Sequence, residues 1–137
     1  MELNGVKLPR DAALLFARLA LASLFVLLGW QKLTAFGPTA AYMAQDGLPL
    51  PQLAAAIAVA MELGGGLLIA LGVLVSPLAL LMAAYTLVTG IVGHHYWTMQ
   101  GALRADMFIH FWKNVAIAGG WVALSGAGPG RWALISR

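Results

Sequence analysis

Four long apolar runs dictate what this chain can become. Ala12 to Trp30 is broken by one charge, Arg18, and Leu53 to Val75 by Glu62 alone. The run that follows Ser76-Pro77 reaches Gly93 with no charge, and Met107 to Ser125 holds Lys113 beside Asn114. A helix needs about 20 mainly apolar residues to cross about 30 Å of hydrocarbon. Strands of a membrane barrel would alternate apolar and polar residues, and these runs do not alternate. The expected fold class is all-α: an integral membrane four-transmembrane-helix bundle, one domain over residues 1–137. Its helices are expected at about 12–31, 53–75, 77–95 and 107–125.

Composition agrees. The chain is 61% hydrophobic and 9% charged, against about 25% charged in soluble domains. That argues against a soluble monomer, and also against disorder, which requires polar, highly charged sequence. The eight basic residues are scattered, whereas a nucleic-acid surface needs them clustered. There is no cysteine, so redox work would need a bound cofactor or a partner. Lys7 and Arg10 precede the first run, but signal-peptide cores are shorter, about 7–15 residues. No small-residue cleavage site follows Trp30, so an uncleaved span is expected.

The links are uneven. Gln31 to Gln52 is long, with Gly37-Pro38 and Gly47-Leu48-Pro49-Leu50-Pro51 as breakers. Gly72 to Pro77 is a tight turn between antiparallel helices, and His94 to Asp106 is the third link. Lys7, Arg10, Arg131 and Arg137 fall on one side, Lys32 and Arg104 on the other, with Lys113 just inside. Positive residues favour the cytoplasm, so both termini are expected there. Trp30, Tyr42, Tyr96, Trp97 and Trp112 then form an outer aromatic belt.

Charges inside a membrane cost at least about 2.5–3.5 kcal/mol each on insertion scales, so they should face the bundle interior. At 1.5 Å per residue, Glu62 lies roughly 13 Å and Lys113 roughly 9 Å below the outer surface. A Glu62–Lys113 pair is therefore expected, with Arg18 reaching up to Glu62 or down to head groups. Helical spacing gives four stripes: Arg18, Ala22, Phe25, Gly29, Lys32; Ala58, Glu62, Gly66, Ile69; Ala79, Ala83, Thr86, Gly90, His94; and Lys113, Ile117, Gly120, Leu124. Small residues on each let helices approach closely. His94 and His110 bracket the outer loop and can meet. Neither a metal nor a haem is implied by them.

These residues together resemble the DoxX family of small four-helix bacterial membrane proteins. The pattern is Arg18, Gly29-Trp30-Gln31-Lys32-Leu33, Gly47-Leu48-Pro49, Glu62-Leu63-Gly64-Gly65-Gly66, Leu71-Gly72, Phe111-Trp112-Lys113-Asn114 and Gly128-Pro129-Gly130, over about residues 10 to 131. The chain departs from the family at Arg131-Trp132-Ala133-Leu134-Ile135, where members often carry a Ser-Leu-Asp-like ending. The resemblance implies an inner-membrane location and a link to quinone redox complexes, hence a quinone cofactor and a redox enzyme partner or a homo-oligomer. On that reading Glu62 and Lys113 are the catalytic candidates. Arg18, Lys32, His94 and Asn114 are the ligand-binding ones, with His94 leading to outside water. Two other readings stand beside it: a small transporter or ligand-binding membrane protein, and a scaffold that anchors an enzyme.

Overall fold

A computed structural model describes residues 8–135, and their regular elements are all helical. The elements are α1 (Arg10–Thr34), α2 (Phe36–Gln45), α3 (Pro51–Val59), a π-helical segment (Ala60–Gly65), α4 (Gly66–Leu71), α5 (Val75–Gly93), a 3-10 turn (Tyr96–Thr98) and α6 (Gly101–Ala127). α3, the π segment and α4 run on as one rod, Pro51–Leu71. Three rods are long and apolar enough to cross a membrane: Arg10–Thr34, Pro51–Leu71 and Val75–Thr98. The fourth expected span, α6, has 27 residues but carries Arg104, Asp106, His110, Lys113 and Asn114 in its first two-thirds.

Local chemistry sets the boundaries. Pro51 opens α3 in the first turn, where a missing N–H costs nothing. Gly72 (φ 80°) closes α4 in the left-handed region, the usual helix-ending conformation for glycine. The expected open link from Gln31 to Gln52 contains α2 instead. Gly37 and Pro38 do not break it, because Pro38 falls in its first turn, among N–H groups that have no helical partner. α6 begins at Gly101, six residues before the expected start.

Packing follows the small residues. α5 and α6 lie antiparallel, tied by the Ser125 hydroxyl to the Ser76 carbonyl (2.8 Å) at one end. Asn114 Nδ2 donates to the Thr86 carbonyl (3.1 Å) nearer the other, and Gly90 makes room for the Asn114 side chain. Trp121 is fully buried and meets the edge of Phe25 with ring centres 5.4 Å apart. The core adds Leu14, Ile69, Val75, Met82 and Leu124. Three stripes are buried as the spacing implies; only Lys32 and His94 at their ends remain half-buried. The α6 stripe is turned by one residue: Ala118, Trp121 and Leu124 are buried, while Lys113 is exposed. Burying the indole and the Asn114 amide against α5 places Lys113 outside.

The surface is inverted relative to a soluble protein. Phe16, Leu27, Leu80, Val88, Ile91 and Val122 are all exposed, far beyond the scattered apolar patches of a soluble monomer.

α1 crosses the π segment at glycine. A Cβ on Gly29 would sit 2.5 Å from the Leu63 nitrogen, and one on Gly66 2.9 Å from Val26 Cγ2. By contrast, a Cβ on Gly64 would meet nothing within 4 Å. Gly29→Ala should therefore cost about 1–3 kcal/mol by overpacking and lower the thermal midpoint in detergent, while Gly64→Ala should leave it nearly unchanged. Equal midpoints for the two variants would show that the close crossing carries no stability.

Candidate functional site: a buried carboxylate on a π segment

Glu62 lies near the middle of the Pro51–Leu71 rod, on its π-helical stretch. A π segment inserts one extra residue into a helical turn and frequently marks functional sites. Here it places Glu62, Gly65 and Gly66 together on the buried side. Glu62 is 6% exposed. Its Oε1 accepts from the Tyr85 hydroxyl at 3.2 Å. Its Oε2 lies 2.8 Å from Lys32 Nζ, a charge pairing that lacks the alignment of a hydrogen bond. Lys32, in the last turn of α1, remains about a quarter exposed, so one flank of the pair is open to the surroundings.

The expected Glu62–Lys113 pair does not form. Lys113 is on the outer face of α6, and the cation beside Glu62 is Lys32. The same stripe that carries Gly29 carries Lys32, so the close helix crossing delivers the ammonium. Sequence reasoning missed Tyr85, although a phenol alone in the uncharged third run was a visible signal.

Arg18 also goes elsewhere. It is 1% exposed and lies fourteen residues before Lys32 on α1, about 21 Å away along the helix. Its guanidinium donates to the carbonyls of Trp132 (2.6 Å), Pro129 (2.7 Å) and Ala70 (3.4 Å). The same tail donates its Leu134 and Ile135 N–H groups to the Leu71 and Gly72 carbonyls, groups that a helix end leaves without partners. Arg18 thus clamps the departing C-terminal segment to the end of α4. A side chain on Gly72 would collide with Ala133 and with Arg18.

Asn114 serves α5, donating to the Thr86 carbonyl and the Thr89 hydroxyl, and does not bond Glu62. His94 and His110 do meet: their rings stack with centres 5.2 Å apart. His94 Nδ1 is 3.4 Å from Met107 Sδ, and His110 is 3.7 Å from Asp106. Among the described residues no three His, Asp or Glu side chains gather as a metal cage would. Beside the histidines in sequence, Tyr96, Trp97, Phe108, Phe111 and Trp112 form an aromatic cluster, mostly edge-to-face. Arg104 lies over the Tyr96 ring. Arg10 and Asp11 at one end of α1 touch Ala127 and Arg131, so the two ends of the described chain lie together. Lys7 and Arg137, counted in the basic cluster, lie outside the described residues.

Apolar rods with a buried ion pair and an aromatic rim define a small all-helical protein of the membrane-spanning type. The chain belongs to the DoxX family, whose profile matches residues 13–95. It is 46% identical over 128 residues to the inner membrane protein YphA of Escherichia coli K12, covering 93% of this chain and 91% of that one. It is 33% identical over 129 residues to the inner membrane protein YqjF of the same organism, covering 94% of each. No solved structure matches the chain.

Replacing Lys32 by Met or Glu62 by Gln should each lower the thermal midpoint. Breaking a buried pair typically costs about 3–5 kcal/mol, and the partial exposure of Lys32 puts this one at the lower end. The double variant should lose less than the two losses added together, and Lys113→Met should lose little. Strictly additive losses would mean that Lys32 and Glu62 do not act as a pair.

Proposed function

We propose that this chain is a four-span protein of the bacterial inner membrane with both termini in the cytoplasm. Its Lys32–Glu62–Tyr85 centre is the proton-handling site of a quinone-linked redox subunit. The observation that carries the reading is Glu62 itself: a carboxylate buried near the middle of a spanning rod, on a π segment, with an oxygen that has a charge partner but no aligned donor. Ionisable groups at such depth are functional candidates by default.

α6 is the fourth span. It packs along α5 from the Ser76–Ser125 bond to the stacked His94 and His110, so it shares the depth of a rod that crosses. Lys113 then extends along the lipid-facing side toward the interface, as long basic side chains do. The inner-membrane names of YphA and YqjF support the location. Arg10 and Arg131, held at one end with Asp11, support the orientation.

The centre suits a quinone chemically. Lys32, partly exposed and with three N–H groups, would hold a carbonyl oxygen. Tyr85 donates its one proton to Glu62 and holds it in place, and Glu62 is the group that would take or give the proton. His94 lies nine residues beyond Tyr85, at the end of the same helix, about 13 Å along it, and its stacked pair with His110 would lead protons toward the far interface. A bound quinone would supply the electron-carrying chemistry, and with no cysteine in the chain its electrons would come from a partner enzyme or an outer substrate.

Protein extracted in mild detergent should carry a quinone-class molecule in native mass spectrometry. Glu62→Gln should keep the fold and the molecule but lose the pH dependence of its binding. Protein with no lipid-soluble redox molecule, or a Glu62→Gln variant with an unchanged pH profile, would overturn the redox reading. A C-terminal alkaline phosphatase fusion should be inactive; strong activity would reverse the orientation.

A further inference from the structure

A groove runs between α1 and α6 on the half of the bundle that holds the chain ends. Ala13, Ala17 and Leu24 line one wall and Gly120, Ala123 and Ala127 the other. Its volume is about 580 Å³, within the range of small-molecule sites, and every residue lining it is apolar. Ala13 to Leu24 is eleven steps of 1.5 Å, about 17 Å, close to half of the roughly 30 Å hydrocarbon thickness. The groove therefore has the length of one leaflet.

Its end is polar. A second cavity of about 290 Å³, lined by Arg10, Asp11, Pro129, Gly130 and Arg131, shares Ala127 with the groove. Asp11 accepts from the Arg131 main-chain N–H at 3.0 Å, which holds the tail in place. Two guanidinium groups against one carboxylate leave the mouth with a net charge of one positive.

We propose that the groove and its mouth bind one anionic phospholipid, with an acyl chain along the α1–α6 seam and the phosphodiester against Arg10 and Arg131. The single net positive charge matches a single phosphodiester. A second copy of the chain fits less well, because a two-fold contact uses the same patch on both subunits and would set these arginines against each other. A neutral quinone head would make no use of the charge. The site lies at the opposite end of α1 from Lys32 and stands whether or not Glu62 handles protons.

The test is native mass spectrometry of delipidated full-length protein, titrated with dioleoyl phosphatidylglycerol, dioleoyl phosphatidylcholine and soluble glycerol phosphate. Phosphatidylglycerol should bind in preference to phosphatidylcholine by about fivefold for the one net positive charge. Arg131→Gln and Arg10→Gln, each of which brings that net charge to zero, should each remove about that factor. Arg10 also holds the Ala127 carbonyl, so Arg131→Gln, whose bond to Asp11 comes from the main chain, decides if Arg10→Gln unfolds. Gly120→Leu, which fills the groove beside Leu21, should weaken both lipids and leave their ratio. The proposal is overturned if the two lipids bind equally, if Arg131→Gln keeps the full preference, or if glycerol phosphate displaces the lipid. It is equally overturned if Gly120→Leu removes a quinone or splits a dimer without touching lipid binding.

Discussion

A carboxylate in the interior of a membrane bundle must find a cation, and Glu62 finds one only because two helices almost touch. Gly29 brings α1 against the Leu63 main chain, and one turn further on Lys32 reaches Oε2. Any side chain at Gly29 would push the ammonium away from its partner. The π segment completes the arrangement, turning Glu62, Gly65 and Gly66 to the same side, where Gly65 faces Met82 of α5 and Gly66 faces Ala22 and Val26 of α1. The charge pair and the helix packing are therefore one feature.

The middle of the bundle and its Arg18 end solve the problem of polar groups in opposite ways. Around Glu62, side chains satisfy side chains. Around Arg18, a side chain satisfies main-chain carbonyls left free where α4 ends and where the tail begins. Hydrocarbon offers no water to such groups, so irregular backbone at a helix end needs a donor of this reach. Arg18 donates to three carbonyls from one planar group, which a lysine's compact charge could not do with the same geometry.

Much of this was legible in the sequence. The apolar runs gave the rods, and helical spacing gave the buried faces of α1, of the Pro51–Leu71 rod and of α5. The face of α6 differs by one residue from the one that a sheltered Lys113 implies. A lysine has a long apolar stem and can stay outside, whereas the large Trp121 ring fills the core and the partial burial of the Asn114 amide is offset by its bond to the Thr86 carbonyl. α2 was hidden because Gly37 and Pro38 read as breakers, and only their place in the first turn makes them compatible with a helix. The π segment leaves no periodicity to read, and three consecutive glycines after Glu62 were its only trace. The Arg18 clamp was out of reach for a different reason: its partners are main-chain carbonyls, which no residue type announces.

That clamp has a consequence for how the protein is made. Two of Arg18's acceptors, Pro129 and Trp132, are separated from it by more than a hundred residues. Chains grow at about 5–20 residues per second, so these carbonyls are synthesised roughly 6–23 seconds after the arginine itself. Until then Ala70 is the one permanent acceptor already made, at 3.4 Å, and lipid phosphates or water must hold the rest of the guanidinium. The Arg18 end of the bundle is thus closed only when residues 129–132 arrive, and a chain truncated before Pro129 would leave the guanidinium without two of its three acceptors.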